Sequence, residues 1–275
     1  MTPAAAAAPA PAVPPAPPAG PAARFGIIAG TGFYDLPGLA GPAAAPAPVS
    51  NRWGTATLRT GVWHGQPIAF LPRHGGSHSI PPSAVNYRAN VQALADCGVE
   101  AVLAVNVVGS MLPHRPTGSL LVLDDYLEFT SGRDCTFFDQ PDDAGVTHTD
   151  MTTPYHPDVR AALLAAADDV GLDVEPTATY VCANGPRFET PAEIRMYAQL
   201  GGSVVGMTGY PEVALARELG LRYAAVAVVS NMAAGMSDGE ISHDEITGML
   251  DAAKEPLFAL LGRAVELLAA AVPPV

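Results

Sequence analysis

Polar turns that follow short apolar strands carry residues able to bind an anion. Residues 24–32, RFGIIAGTG, predict a strand and a glycine turn in which Thr31 offers a backbone N–H and a hydroxyl. Arg73 can supply a planar, permanently charged fork to phosphate oxygens, and His74 a second donor. Thr208 lies in a turn before apolar residues at helical spacing, so unpaired N–H groups are expected there. These turns predict a site for an oxyanion.

Two further polar positions indicate a ligand site. Residues 184–190 read NGPRFET, and Thr190 is predicted to cap a helix that begins at Pro191, because Glu193 lies three residues after the cap. Asn106 interrupts the apolar run of residues 101–108. Its amide therefore either hydrogen-bonds within the core or faces a ligand at the end of the strand. Gly109 directly after this run favours the second interpretation, since ligands collect where strands end.

Other kinds of site compete with an anion site. His74 and His78 have the four-residue spacing of a helical metal pair, but the glycines and prolines around them disfavour a helix and no third ligand is close in sequence. No metal is therefore expected. A dinucleotide site is disfavoured because the first glycine turn lacks the full GxGxxG pattern. Solvated loops and ordinary helix starts remain the structural alternatives.

The elements that must position these residues alternate along the chain. Short apolar runs predict strands at residues 55–59, 67–71, 101–108, 119–124, 178–182 and 223–229. Helices are predicted at residues 87–97 and 157–170, after Thr190 and Thr208, and from residue 243 to 268 with a break at Pro256. Residues 36–51 and 125–138 are predicted loops. This alternation indicates an α/β fold.

Composition limits the class of protein. The chain has 275 residues, 49% of them hydrophobic, which is enough for one substantial core. Residues 1–24 are almost entirely Ala and Pro and predict a disordered leader before a single domain at residues 25–272. A net charge of −13 argues against a nucleic-acid partner, and no apolar run predicts a membrane span. Three scattered cysteines predict no disulfide framework, so a reducing cytoplasm is expected.

Longer phrases carry a family resemblance. Residues 185–193 (GPRFETPAE), residues 204–218 (VVGMTGYPEVALARE) and RHGxxH followed by VNYRAN resemble the trimeric purine nucleoside phosphorylase family. Its members, which include methylthioadenosine and methylthioinosine phosphorylases, cleave a purine nucleoside with inorganic phosphate. The resemblance spans roughly residues 25–268, and its wording is closest to the 6-oxopurine and methylthioinosine branches. It implies one domain with a twisted mixed β-sheet flanked by helices, a homotrimer, phosphate as co-substrate and no cofactor.

The resemblance also implies roles for individual residues. Phosphate would contact Thr31, Arg73, His74, Asn106, Val107 and Thr208. The nucleoside would contact Asn106, His148, Phe188, Glu189, Met207, Asn231, Ala233 and His243. His74, Glu189 and Asn231 would serve catalysis. His148 would reach the 5′ end of the substrate in a neighbouring subunit, although a lone surface histidine without a role is the alternative. His243 resembles the residue that binds a 5′-hydroxyl.

The choice of base follows from the hydrogen bonds that each purine offers. Glu189 can accept from N1–H of a 6-oxopurine, and Asn231 can donate to N7 or O6, whereas adenine N1 is itself an acceptor. Adenine-specific relatives usually have Ser at position 189 and Asp at positions 231 and 233. We therefore expect phosphorolysis of inosine-, guanosine- or methylthioinosine-type nucleosides. The alternatives are a methylthioadenosine phosphorylase, a non-catalytic nucleoside-binding protein and a dinucleotide-dependent oxidoreductase.

Overall fold

The computed structural model describes residues 22–41, 43–76, 79–140, 145–237 and 243–271, with the side chains of residues 243–245 left out. Most of the predicted leader lies outside these ranges. Ala23 is buried, and its N–H donates to the carbonyl of Cys97 at 2.9 Å. The packed domain therefore already includes Ala23, ahead of the boundary predicted at residue 25.

One mixed β-sheet runs through the described part of the chain. Its eleven strands are β1 (Phe25–Ala29), β2 (Ala47–Asn51), β3 (Gly54–Trp63), β4 (Gln66–Pro72), β5 (Ala101–Ser110), β6 (Leu120–Val122), β7 (Asp125–Phe129), β8 (Val174–Glu175), β9 (Thr179–Ala183), β10 (Val204–Gly206) and β11 (Arg222–Met232). The helices are α1 (Tyr87–Asp96), α2 (Pro157–Val170), α3 (Pro191–Gln199), α4 (Gly209–Glu218) and α5 (His243–Ala271), with a 3₁₀ turn at Pro82–Ala84.

Strand β5 is the centre of the sheet. It pairs in parallel with β1 and with β11, and β1 in turn pairs in parallel with β4. Beyond β5, the strand β10 runs antiparallel, with Val205 opposite Gly109. Because β1, β4, β5 and β11 run in one direction, the turns after them meet at the same edge of the sheet.

Helices cover both faces of this sheet. Residues of α1 and α4 pack with the sheet in one hydrophobic cluster, and residues of α2 and α5 pack with the opposite face in another. Strand β5 is buried along almost its whole length, as expected for a strand covered on both faces. The predicted single α/β domain with a mixed sheet between helices is confirmed. None of the described helices has the length and apolar character needed to cross a membrane.

Three segments differ from the sequence-based prediction. Asp125–Phe129 lies within a predicted loop but forms β7, which pairs in parallel with β9. Ala47–Asn51, at the end of the other predicted loop, forms β2. Both strands are largely exposed and lie at the sheet margin, so they lack the apolar run that marks a buried strand. Helix α5 continues through Pro256, where a break was predicted.

Candidate active site

A cavity of about 290 Å³ lies where the strands of the sheet end. The turns after β1, β4, β9 and β10 border it, together with the ends of β5 and β11. Its lining combines apolar and polar groups: Gly30, Thr31, Arg73, His74, Pro82, Val107, Val108, Gly109, Pro186, Phe188, Glu189, Val205, Gly206, Met207, Thr208, Ser230, Asn231, Ala233 and Ile246. Its size and position at the strand ends are those of a small-molecule site.

Arg73 is the central cation of the cavity. Its Nε and Nη2 each donate to a carboxylate oxygen of Glu212 at 2.8 Å, and its Nη1 donates to the carbonyl of Val105 at 3.0 Å. Both charged side chains are 1% exposed, and the Tyr223 hydroxyl donates to the same carboxylate at 2.8 Å. Burial alone lowers the pKa of Arg73, but the attraction of Glu212 raises it above its ordinary value.

This pairing corrects the predicted use of Arg73. Its planar fork faces Glu212, so it is not open to grip two phosphate oxygens. Its Nη1 lies beside Gly30, which also lines the cavity, and a Cβ at that glycine would be only 3.0 Å from this nitrogen. Glycine at position 30 therefore lets the backbone of the first turn approach the guanidinium. Arg73 can give an anion an N–H contact from this side.

The turn at Thr208 also differs from the prediction. The N–H groups of Thr208 and Gly209 donate to the hydroxyl oxygen of Tyr180 at 3.1 and 3.2 Å, so they are paired within the protein. Tyr210 has a non-helical backbone, and regular helix follows only after it. The prediction of unpaired N–H groups at this turn is therefore wrong for Thr208 and Gly209. What lines the cavity here is residue Thr208 itself, whose hydroxyl is available to a ligand.

The other predicted phosphate residues divide between the cavity and the core. Thr31, His74 and Val107 line the cavity. His74 Nδ1 lies 2.8 Å from the carbonyl of Ile80, and because a carbonyl only accepts, Nδ1 carries the hydrogen. Asn106 does not line the cavity. It is 2% exposed, and neither atom of its amide has a hydrogen-bond partner in the described residues.

Glu189 forms one wall of the cavity. Glu189 lies between β9 and α3. The first turn of α3 contains the predicted capping box, in which the side chains of Thr190 and Glu193 each accept from the other's backbone N–H. Glu189 is 8% exposed, and its Oε1 is buried without a hydrogen-bond partner among the described residues. Burial raises the pKa of the Glu189 carboxyl above its usual value. A buried carboxylate oxygen without a donor is a strong acceptor for a ligand N–H.

Asn231 lies in the same cavity with a fixed amide orientation. The register of β11 against β5 shifts between Val229 and Asn231, leaving Ser230 as the extra residue of a bulge. Asn231 Nδ2 donates to the carbonyl of Met232 at 2.8 Å, and the Ser230 hydroxyl donates to Asn231 Oδ1 at 2.7 Å. Because the carbonyl cannot donate, the amide cannot be flipped. The second N–H of Nδ2 remains to serve a ligand.

The remaining predicted substrate residues have different positions. Met207, Phe188 and Ala233 line the cavity beside Glu189 and Asn231. His148 is exposed and does not line it. His243 begins α5, but its side chain is outside the described residues. The same is true of His78, the second residue of the alternative metal pair.

Four residues that support the site were not predicted from the sequence. No role was assigned to Glu212, Tyr180, Ser230 or Tyr223. The first three hydrogen-bond the cavity residues Arg73, Thr208 and Asn231 respectively, and Tyr223 hydrogen-bonds Glu212. A signal for Glu212 was present, because it lies at helical spacing with apolar Leu215 and Ala216. A carboxylate on the apolar face of a helix must find a buried partner. The identity of that partner required the fold.

Comparison with known proteins agrees with this geometry. The chain matches the phosphorylase superfamily over residues 24–266 and belongs to that family. It is 46% identical over 242 residues to a protein named probable 6-oxopurine nucleoside phosphorylase from Moorella thermoacetica, covering 88% of this chain and 92% of the relative. It is 41% identical over 240 residues to a probable S-methyl-5′-thioinosine phosphorylase from Methanothermobacter thermautotrophicus, covering 87% and 82%.

A solved structure shares the same fold. Methylthioadenosine phosphorylase from Schistosoma mansoni in complex with adenine aligns with a TM-score of 0.83 at 33% identity, covering 90% of this chain and 92% of that one. The family resemblance predicted from the sequence phrases is therefore confirmed, and the chain is an enzyme of the nucleoside phosphorylase kind.

Proposed function

We propose that this enzyme cleaves 6-oxopurine nucleosides with inorganic phosphate, releasing the free base and ribose 1-phosphate or its 5-methylthio analogue. The observation that carries the proposal is the buried, unpartnered carboxylate oxygen of Glu189 in one cavity with the oriented amide of Asn231. Thr31, Arg73 and Thr208 line the same cavity and offer donors to phosphate.

The base wall, formed by Glu189 and Asn231, favours the lactam edge of a 6-oxopurine. A 6-oxopurine offers N1–H to the Glu189 carboxylate, while the second N–H of Asn231 can donate to N7 or O6. Adenine would place its N1 acceptor against this carboxylate and leave Oε1 unpaired, at a cost of about 1–3 kcal/mol. The proposed substrate therefore agrees with the 6-oxopurine in the name of the Moorella relative, and differs from the adenine bound in the Schistosoma structure.

The reaction requires no covalent enzyme intermediate. The bond from the anomeric carbon to N9 breaks, the base leaves with the bonding electrons and takes up a proton, and a phosphate oxygen bonds to the anomeric carbon. Asn231 would stabilise the negative charge on the departing base, and Glu189 would hold the base in position through N1–H. Thr31, Arg73, His74, Val107 and Thr208 would hold phosphate beneath the sugar, which Met207 would contact. Positioning of two substrates then supplies much of the rate.

The 5′ end of the substrate is a separate part of the proposal. His148 and His243 were predicted there, and the chain is similar to a probable methylthioinosine phosphorylase as well as to a 6-oxopurine enzyme. We include both 5′-hydroxyl and 5′-methylthio nucleosides. We also propose a homotrimer in the cytoplasm that acts in purine salvage without a metal or organic cofactor. A non-catalytic binding protein is disfavoured, because it would not need anion donors beside the base wall.

A substrate panel tests the proposal. Purified protein is incubated with inosine, guanosine, methylthioinosine, adenosine or methylthioadenosine, with and without phosphate, and base release is measured by chromatography. We expect phosphate-dependent release of hypoxanthine or guanine, and little adenine. A variant carrying Glu189→Ser, Asn231→Asp and Ala233→Asp should shift the preference toward adenine. Faster cleavage of methylthioadenosine than of inosine and methylthioinosine by the unaltered protein would overturn the assignment of the base.

A further inference from the structure

Arg133 connects the two turns that bind the two halves of the substrate in the proposed function. It lies in the loop after β7, and its Nη1 donates to the carbonyl of Tyr210 at 2.7 Å. Its Nη2 donates to the carbonyls of Asn184 and Ala183 at 3.0 and 3.4 Å. Tyr210 lies two residues after Thr208, and Asn184 lies five residues before Glu189. One guanidinium therefore bridges the phosphate turn and the base loop.

The shortest contacts of Arg133 are with backbone carbonyls, and its Nη1 also donates, at longer range, to the Tyr87 hydroxyl at 3.4 Å and Cys182 Sγ at 3.9 Å. Within the described residues no carboxylate forms an ion pair with it, whereas Arg88, nearby on α1, pairs with both Asp134 and Asp139. The Arg133 guanidinium also lies 5.5 Å from the centre of the Tyr87 ring. A planar cation with several N–H groups in fixed directions can hold two carbonyl-bearing segments at a set separation, which a lysine ammonium cannot reproduce.

The base loop has a second support from the same segment. Asn184 Nδ2 donates to the Ser131 hydroxyl at 3.1 Å, and the Ser131 N–H donates to Asn184 Oδ1 at 3.1 Å. Ser131 and Arg133 thus both hydrogen-bond to the start of the base loop. The Arg133 Nε is nevertheless buried without a partner among the described residues, an unfavourable feature that the remaining contacts must outweigh.

We propose that Arg133 is a positioning residue that sets the distance between the phosphate turn and the base loop, and thereby couples phosphate binding to base binding. The proposal rests on the proposed function, because it assigns phosphate to Thr208 and the base to Glu189. Phosphorolysis needs both substrates in contact geometry at once, and a displacement of about 1 Å can lower the rate by about a hundredfold.

Arg133→Lys tests this role, with Arg88→Lys as a matched arginine on the adjacent helix that touches neither turn. Hypoxanthine affinity is measured by calorimetry with and without saturating phosphate, and kcat and both KM values are measured with inosine. We expect phosphate to tighten hypoxanthine binding in the unaltered protein and in Arg88→Lys. In Arg133→Lys this tightening should be largely lost, and kcat/KM should fall by about tenfold or more.

The outcomes separate the possible failures. If Arg133→Lys lowers only the melting temperature and keeps the coupling between the two ligands, Arg133 is merely structural and the proposal is overturned. If Arg133→Lys does not fold, Arg133→Ala is assayed with millimolar guanidinium, and recovery of the coupling supports the proposal while its absence opposes it. If the unaltered protein shows no phosphate-dependent cleavage of any nucleoside in the panel, the proposed function itself fails.

Discussion

In the proposed function the base preference depends on Glu189, and the protonation of its carboxyl should be visible in the pH profile. Burial raises its pKa above the usual 4.5. The ionised carboxylate accepts from N1–H more strongly than the protonated carboxyl does, so kcat/KM for inosine should fall as the pH drops through this raised value. Glu189→Gln removes the titration and should lower kcat/KM by about 10- to 100-fold, the equivalent of about 1–3 kcal/mol.

The measurement is a pair of pH profiles for inosine cleavage. Exposed Glu100→Gln serves as the control and should keep the acid limb of the unaltered enzyme. An unchanged acid limb in Glu189→Gln would assign that limb to another group and remove this argument for the role of Glu189.

Glu212 should be a stability residue, although it lies directly behind the anion site. Its removal leaves Arg73 as a buried charge without a partner, so Glu212→Ala should lower the free energy of unfolding by about 3–5 kcal/mol. The exposed pair of Arg263 and Asp169 is the comparison, and Asp169→Ala should change stability by less than about 1 kcal/mol. Urea denaturation measures both. Equal losses in the two variants would contradict the importance of burial for the Arg73 pair.

Among individual residues, the sequence predicts several side chains that line the cavity, but it does not predict the residues that hydrogen-bond to them from the core. Thr31, Arg73 and Glu189 follow short strands and carry chemistry that can be read locally. The partner of Arg73 is 139 residues away along the chain, and only the sheet brings the two together. The predicted bidentate use of Arg73 was wrong for this reason, since the sequence did not show that Glu212 already occupies the fork.

Among the helices and strands, the structure agrees with the prediction where a short stretch of sequence carries a strong motif. The cap of α3 was predictable because Thr190, Pro191 and Glu193 form a reciprocal motif within a few residues, and the structure contains it. The exposed edge strand β7 has little apolar content, so its pairing with β9 was not predictable from residues 125–129 alone. Its position matters for the proposed role of Arg133, which lies in the loop after it.

Helix α5 supplies a prediction at the same scale. Pro256 lies inside its 29 residues, where it lacks the N–H of a regular helix and its ring crowds the preceding turn. Helix α5 packs against α2 and the sheet through neighbours such as Leu257, and this burial holds the helix together across the proline. Pro256→Ala should therefore raise the free energy of unfolding by about 1–3 kcal/mol. Thermal unfolding with Pro37→Ala as a loop control measures the change, and a stability loss would show that the proline is favourable here.

For the whole assembly, the proposed homotrimer predicts that His148 acts in a neighbouring subunit. It is exposed and lies outside the cavity of its own chain, yet the sequence resemblance assigns it to the 5′ end of the substrate. In the proposed homotrimer these statements are compatible if His148 completes the site of another copy. Sedimentation should then give a mass of about three times the chain mass of 28.2 kDa.

Subunit mixing tests whether His148 acts between copies. His148→Ala and Glu189→Gln should each have low activity alone, since every site lacks one group. Trimers reassembled from an equal mixture contain some sites where an intact Glu189 of one subunit meets an intact His148 of its neighbour. The mixture should therefore be more active than the average of the two separate variants. Activity equal to that average would show that His148 serves its own chain or has no role, because mixing then creates no complete site.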